Sequence, residues 1–263
     1  MNYTLNMKGQ LMDLSEPKVM GILNVTPDSF FAGSRKQTEY DIAQRANEII
    51  EQGGAMIDVG AYSTRPGAAK VSAEEEMRRL RMALAVVRHE QPNVPLSVDT
   101  FRADVARMVV EEFGADIIND VGEGADPDMF RMVARLQVPY ILMSVQKDLH
   151  DTLMVFAQKV QQLRDLGQKD IILDPGFGFG KTLDDNYRLM NEMEKLQVLQ
   201  LPLLVGISRK SMIYKLLGIT QDEALNGTTF LNTIALMKGA DILRVHDVKE
   251  AVEIVKMYDR LRS

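Results

Sequence analysis

The sequence contains no cysteine. That absence excludes disulfides, iron–sulfur clusters, cysteine-based zinc sites and a thiol nucleophile. Histidine is scarce too: His89, His150 and His246 are the whole set, too few for a His-rich transition-metal centre. There is no basic excess, with 31 Lys and Arg against 37 Asp and Glu and a formal net charge of −6. Proteins that grip duplexes draw most of their affinity from neutralised phosphates, so nucleic acid is not an expected partner. A small anionic substrate stays open, because local cations hold a phosphate on an acidic protein. No apolar run reaches the ~18 residues that a membrane span needs. Residues 1–8 lack a basic region followed by an apolar stretch, so a cytoplasmic protein is expected. No linker, low-complexity tract or charge block divides the chain, which points to a single domain over residues 1–263.

What is present is a repeated alternation. Short apolar runs occur at 19–23, 56–59, 96–98, 117–118, 140–143, 171–173, 203–207 and 242–245. Continuous apolarity over so few residues suits parallel strands buried on both faces. Between them lie stretches of helical periodicity at 38–52, 73–89, 103–113, 128–136, 152–166, 183–197 and 221–238, and a last one at 248–261. Ser72 before an acidic turn, Asp126-Pro127, and the glycines Gly114 and Gly167 supply start and stop signals. Eight strand–helix units match a (β/α)8 TIM barrel, typically about 250 residues. An open doubly wound sheet has fewer strands and a Gly-rich first turn, whereas here the first run ends in Asn24-Val25-Thr26-Pro27. The leftover N-terminal segment, with Tyr3-Thr4-Leu5 and Gln10–Leu14 flanking Lys8-Gly9, reads as a short N-terminal β-hairpin that plugs the barrel floor.

A barrel enzyme places its site at the C-terminal ends of its strands. Those ends carry, in order, Asn24, Asp58, Asp99, Asn119-Asp120, Met143-Ser144, Asp174, Ser208-Arg209-Lys210, and Arg244 with His246. Buried carboxylates cost several kcal/mol unless paired, so folding alone does not explain a polar residue on nearly every strand end. Asp99 and Asp174 read as site residues; Asp58 and Asp120 read equally as members of a core network. Arg65, Lys210, Arg244 and His246 would form an anion-binding rim. Asp99, Asn119 and Asp174 would face a polar, nitrogen-rich heterocycle. The Pro/Gly/Ser-rich loops at 26–37 and 61–70 read as lids. Asp28 on the first of them reads either as a site residue or as a solvated turn residue.

The segment Asp174-Pro-Gly-Phe-Gly-Phe-Gly-Lys-Thr fails both nucleotide motifs: Pro175 stands where a P-loop needs its first glycine, and Lys181 where the dinucleotide pattern needs its last. It reads instead as a loop whose backbone a flat ligand can approach. Phe179 would stack on that ligand or simply pack with Phe177. His89 and His150 read as surface residues, His150 in a loop. Arg78, Arg79 and Arg81 beside Glu74–Glu76 read as a solvated helix face. The 17 methionines read as core filler.

Taken together, the motifs resemble those of the dihydropteroate synthase family. They are Gly21-Ile-Leu-Asn-Val-Thr-Pro-Asp-Ser-Phe, Asp58-Val-Gly-Ala-Tyr-Ser-Thr-Arg-Pro-Gly, Ser97-Val-Asp-Thr, Ile118-Asn-Asp, Leu173-Asp-Pro-Gly-Phe-Gly-Phe-Gly-Lys, Gly206-Ile-Ser-Arg-Lys-Ser and Arg244-Val-His-Asp, in family order from residue 21 to 247. The resemblance implies a pterin-binding (β/α)8 barrel. It implies a transferase that joins 4-aminobenzoate to 6-hydroxymethyl-7,8-dihydropterin diphosphate with Mg²⁺, in folate synthesis, and that sulfonamides block. It implies that Asp99, Asn119, Asp174 and Lys210 hold the pterin, with Met143 and Gly178 against it. Asn24 would ligate Mg²⁺. Thr64, Arg65, Arg244 and His246 would hold the diphosphate. Ser211, Pro66, Phe179 and one of Phe30 and Phe31 would frame the aminobenzoate. Asp99, Lys210, Arg65 and Asp28 would be the catalytic set. A homodimer is expected, as is common in the family. Two positions depart from the pattern: Ser144 stands where most members have histidine, and Ala61 where glycine is common. A pterin-dependent methyltransferase and a pterin-binding paralogue without synthesis are the competing readings. The first needs no diphosphate clamp, and the second leaves the anion rim unexplained.

Overall fold

The computed structural model describes residues 3–25, 35–62 and 71–262, and only the backbone at 35–37. Strands β1 (Thr4–Met7) and β2 (Gln10–Asp13) form the expected antiparallel hairpin. Its turn residues Lys8 and Gly9 both have positive φ, 51° and 93°, the geometry that matches the twist of paired strands.

Eight parallel strands follow: β3 (Lys18–Asn24), β4 (Met56–Gly60), β5 (Leu96–Asp99), β6 (Ile117–Asp120), β7 (Tyr140–Met143), β8 (Ile171–Asp174), β9 (Leu204–Val205) and β10 (Ile242–Val245). Their order is β8-β7-β6-β5-β4-β3-β10-β9. A parallel bridge from Leu173 to Leu203 joins the two ends into a barrel; there the Leu173 amide donates to the Pro202 carbonyl at 2.9 Å. Around the barrel run helices α1 (Arg35–Glu51), α2 (Ala73–Glu90), α3 (Ala103–Phe113), α4 (Met129–Leu136), α5 (Leu149–Asp165), α6 (Leu183–Glu192), α7 (Ser211–Leu217), α8 (Leu225–Met237) and α9 (Val248–Arg262).

Side chains alternate across each strand, and this splits the apolar residues into two cores. Outward residues such as Val19, Ile57, Val98, Ile118 and Leu173 pack under the helices. Inward residues Met20, Met56, Ile117, Ile141, Ile172, Leu204 and Ile242 fill the lower barrel with Leu5, Met7 and Leu14 of the N-terminal segment. The hairpin is thus the floor, and each of its buried side chains contributes about 2 kcal/mol by leaving water. Two positions further along the same inward faces stand Asp58, Asn119, Asp174 and Arg244, and four positions beyond Met20 stands Asn24.

Several local expectations need correction. α5 starts at Leu149 because the Asp148 side chain accepts from the Asp151 amide, so His150 lies in its first turn and not in a loop. α7 was not anticipated, and α8 begins later than the periodicity suggests. α6 passes into a 3-10 turn at Met193–Leu199. The basic face of α2 is divided. Arg78 is exposed and pairs with Glu75, and Arg81 reaches Glu112 on α3. Glu76 and Arg79 turn inward and are buried.

Candidate active site

The upper inward positions converge as a single ring, polar except for Met143: Asn24 on β3, Asp58 on β4, Ser97 and Asp99 on β5, Asn119 on β6, Met143 on β7, Asp174 on β8 and Arg244 on β10. The register puts Asp58 beside Ser97, Asp99 beside Asn119, and Met143 beside Asp174.

Arg244 ties the ring together. It reaches past β3, its Nε donating to Asp58 Oδ2 at 2.6 Å and its Nη2 to Asp99 Oδ2 at 2.9 Å. Burial works against its charge, but Asp58 and Asp99 outweigh that and hold the guanidinium protonated. Asp58 is fully buried and accepts also from Ser97 Oγ at 2.5 Å and Asn119 Nδ2 at 3.1 Å. A carboxylate with three donors is satisfied, so Asp58 orients its neighbours instead of offering a free acceptor. Asn119 shows the complement: its amide nitrogen is used, while its buried Oδ1 has no partner. An orphaned buried acceptor costs about 1–3 kcal/mol, a cost that a ligand N–H would relieve.

Asp99 has a strongly shifted titration. Burial pushes its carboxyl up to about 7, against Arg244 and with Asp58, Glu76 and Asp120 adding to the rise. Such a shift in a strand-end cleft is what functional carboxylates show. Burial likewise raises Asp174, against the nearby Lys210; the Asp174 Oδ1 accepts from the Gly176 amide at 2.8 Å.

Lys210 approaches from the β9–α7 loop. Its Nζ donates to the Phe177 carbonyl and lies 4.5 Å from the centre of the Phe179 ring. Burial pulls it down to about 8, against Asp174. The two phenylalanines therefore divide: Phe177 is core, and Phe179 is half-buried under a cation. Gly178 has a φ of 84°, and a Cβ there would come within 3.0 Å of Lys210 Cδ. Lys181, behind the same turn, is pulled by burial to about 8. Met143 is fully buried beside Gly176, and Ser211 opens α7 next to Lys210. His246 is lowered to about 4 by burial, with Arg244 and Arg45 adding to it. That shift favours the neutral imidazole over the imidazolium.

The structure thus brings together Asn24, Asp99, Asn119, Met143, Asp174, Gly178, Phe179, Lys210, Ser211, Arg244 and His246. Asp28, Phe30, Phe31, Thr64, Arg65 and Pro66 lie outside the described residues. Asp120 turns away from the ring. It points outward and accepts from Tyr140 Oη at 2.6 Å and from the Gly122 and Gly124 amides, so it is a core-network residue. Sequence reading missed Glu76, fully buried, which accepts from Thr100 Oγ1 at 2.7 Å and from Arg102. The signal available was Glu76's place on the apolar stripe of α2. Ser144 departs from the family pattern. Its hydroxyl donates to Glu123 at 3.2 Å, and the Val145 amide joins it there at 3.0 Å.

Asn24 and Asp99 face each other over Gly60: a Cβ on Gly60 would lie 3.6 Å from Asn24 Oδ1 and 3.7 Å from Asp99 Oδ2. Amide and carboxylate oxygens are hard donors of the kind Mg²⁺ accepts alongside substrate phosphates, so the residues fit that ion.

Comparison with known proteins agrees with this geometry. The profile of the family described as "Pterin binding enzyme" matches residues 20–246. Dihydropteroate synthase of Escherichia coli K12 is 40% identical over 271 aligned positions, covering 97% of this chain and 95% of that protein. The solved structure of Xanthomonas albilineans dihydropteroate synthase with 4-aminobenzoic acid superposes with a TM-score of 0.94 at 33% identity, over 100% of this chain and 99% of that one. A Yersinia pestis structure with a pterine-sulfa conjugate gives a TM-score of 0.87 at 34% identity, over 99% and 98%. The chain belongs to the dihydropteroate synthase family of pterin binding enzymes.

Proposed function

We propose that this chain condenses 6-hydroxymethyl-7,8-dihydropterin diphosphate with 4-aminobenzoate, releasing 7,8-dihydropteroate and diphosphate. The observation that carries the reading is the ring itself. Asp99, Asn119 and Asp174 offer acceptors matched to an aminopterin edge, and Arg244 joins that wall to the cationic rim.

The chemistry follows from where each group stands. The orphan Asn119 Oδ1 and Asp174 would accept from the pterin, Lys210 would donate to it, and buried Met143 would form a wall. Arg244 spends its Nε and one Nη2 hydrogen on Asp58 and Asp99. The other edge of its guanidinium would donate to the diphosphate, together with neutral His246, Thr64 and Arg65. As the methylene–oxygen bond breaks, negative charge gathers on the departing diphosphate and positive charge on the pterin methylene. The cations stabilise the first. An ionised Asp99 favours the second, and the arylamine then attacks without any covalent enzyme intermediate. Asn24 would hold Mg²⁺, which supplies charge neutralisation for the leaving diphosphate. Phe179, Ser211, Pro66 and one of Phe30 and Phe31 would frame the aminobenzoate, and Asp28 would act beside Asp99.

The reading extends to a homodimer, supported by Phe230 and Met237, 63% and 70% exposed and seven residues apart on α8. It extends also to the cytoplasm, since among the described residues no helix is long and apolar enough to cross a membrane. Diphosphate release from the pterin diphosphate, measured with Mg²⁺ and with or without 4-aminobenzoate, tests the function. Release should require 4-aminobenzoate and largely vanish in Asp99→Ala. Pterin binding without release would overturn the reading.

A further inference from the structure

Lys181 belongs to no nucleotide motif, yet it is built into the frame of the site. Its Nζ donates to the carbonyls of Gly176 at 3.0 Å, Ser144 at 3.3 Å and Phe179 at 3.4 Å. An ammonium has three N–H donors, and here each finds a carbonyl. Two of these belong to the turn after β8, and the third to the residue that follows β7. The turn is pressed hard on that residue: a Cβ on Gly176 would lie 1.9 Å from the Ser144 oxygen. The other face of the turn seats Lys210. The Phe177 carbonyl accepts from its Nζ, the Phe179 ring lies 4.5 Å away, and Gly178 leaves room for its stem. One lysine therefore grips the turn from behind while the other is held on its front.

We propose that Lys181 is a positioning residue for pterin binding: it clamps the turn from Gly176 to Phe179 onto the end of β7, and so fixes the carbonyl and ring that aim the Lys210 ammonium. Lys181 touches no reacting atom. The inference rests on the synthase reading above, because that reading gives Lys210 its ligand. A second tie on the same turn is independent of the Lys181 side chain. The Gly178 amide donates to Asn186 Oδ1 at 2.6 Å, and Asn186 Nδ2 donates to the Thr182 carbonyl at 2.6 Å. Without Lys181 the turn stays attached to α6 but is free to move relative to β7. The result is a loosened seat for Lys210, not an unfolded barrel.

The test compares wild type, Lys181→Met and Lys181→Cys in steady-state kinetics. The chain has no native cysteine, so 2-bromoethylamine restores an ammonium at this one position in the Lys181→Cys protein. In Lys181→Met, KM for the pterin diphosphate should rise between about ten- and a hundredfold, the scale of hydrogen bonds to a charged group. kcat at saturation should change less than about threefold. Aminoethylation of Lys181→Cys should restore most of the lost affinity. A purely structural lysine would behave differently: it would lower the active fraction, hence kcat, at an unchanged KM, and that result overturns the proposal. If Lys181→Met folds poorly, Lys181→Arg carries the same test, since a planar fork cannot meet three converging carbonyls. It should then raise KM while retaining kcat; an unchanged KM overturns the proposal. Wild type without 4-aminobenzoate-dependent diphosphate release would overturn the synthase reading itself. An active wild type with an unmoved pterin KM in the variants would overturn only the role of Lys181.

Discussion

Arg209 lies along Asp247, with Nη2 at 2.7 Å from Oδ1 and Nε at 3.0 Å from Oδ2. The pair joins the β9–α7 loop to the end of β10, and so ties the segment carrying Lys210 and Ser211 to the segment carrying Arg244 and His246. Two more bonds run beside it, from the Arg209 amide to Thr228 Oγ1 at 3.0 Å and from the His246 amide to Ser208 Oγ at 3.1 Å. Arg209 also has a φ of 53°, a left-handed conformation that costs a non-glycine residue about 1 kcal/mol. The surrounding bonds are what sustain it.

Arg209→Met removes the guanidinium and leaves Asp247 half-buried without its partner. Urea unfolding should show a loss of about 2 kcal/mol, below the 3–5 for a fully buried pair because both groups keep some contact with water. The same variant should lose kcat/KM for the pterin diphosphate. Arg209→Lys should recover only part of either, since a point charge cannot hold both carboxylate oxygens. Unchanged stability in Arg209→Met would show that the pair is ornamental.

The Asp99 carboxyl gives two pH signatures of opposite use. If Asp99 acts as the carboxylate proposed above, kcat/KM for the pterin diphosphate should fall as pH drops through about 7. Stability runs the other way. With a folded pKa raised above the ordinary carboxylate value, the native state binds more protons than the unfolded state between about 4 and 7, so this group costs stability as pH rises through that window. Asp99→Asn should therefore abolish most activity while keeping or raising Tm at pH 8, where Arg244 still has Asp58. A marked fall in Tm at pH 8 would contradict the raised pKa.

His246 has its own window. Its pKa is depressed to about 4, below the ~6.5 of an unfolded histidine. The unfolded state then binds more protons between those values, so the stability it contributes is lost as pH falls from about 6.5 toward 4. His246→Gln should flatten that part of the stability curve, measured by urea unfolding at stepped pH. An unchanged slope would mean that His246 is protonated in the fold.

The barrel was legible because its signal is local: eight short apolar runs, each followed by a helical period. The ring was legible for a related reason, since polar residues at the ends of otherwise apolar strands are costly and stand out. Strand-end position alone leaves Asp58 and Asp120 alike. Parity separates them, for Asp58 shares the inward face with Met56, while Asp120 lies one residue past inward Asn119 and must point out. What stayed hidden depends on contacts between distant segments. Glu76 sits among charged neighbours on α2, and nothing local says that Thr100 and Arg102 will meet it. Arg209 and Asp247 are 38 residues apart, and Lys181 looks like any solvated lysine until the turn folds over it.

The Asp120–Tyr140 pair tests the outward assignment. Tyr140 is fully buried, and its hydroxyl has Asp120 as acceptor at 2.6 Å. Tyr140→Phe removes the donor and leaves a buried carboxylate with the Gly122 and Gly124 amides, which should cost about 1–3 kcal/mol. The pterin KM should stay within about twofold of wild type, because the pair lies behind the strand wall. A large rise in KM would place Asp120 in the site after all.

Gly176 and Gly180 separate space from backbone strain on one turn. Both have positive φ, 70° and 64°, so alanine at either position meets the same left-handed penalty of about 1 kcal/mol. Their surroundings differ. A Cβ on Gly180 meets only the Val145 carbonyl, at 3.5 Å, an ordinary contact, whereas a Cβ on Gly176 would sit 1.9 Å from the Ser144 oxygen. That oxygen is backbone and cannot swing aside. Gly180→Ala should therefore lower stability by about 1 kcal/mol and leave the pterin KM almost unmoved. Gly176→Ala must push the turn off β7, breaking the Lys181 contacts and tilting Phe177 and Phe179 away from Lys210. It should cost about 3 kcal/mol or more and raise the pterin KM at least as far as Lys181→Met does. Equal effects from the two substitutions, in denaturation and kinetics together, would mean that the close approach of the turn to β7 does not govern the seat of Lys210.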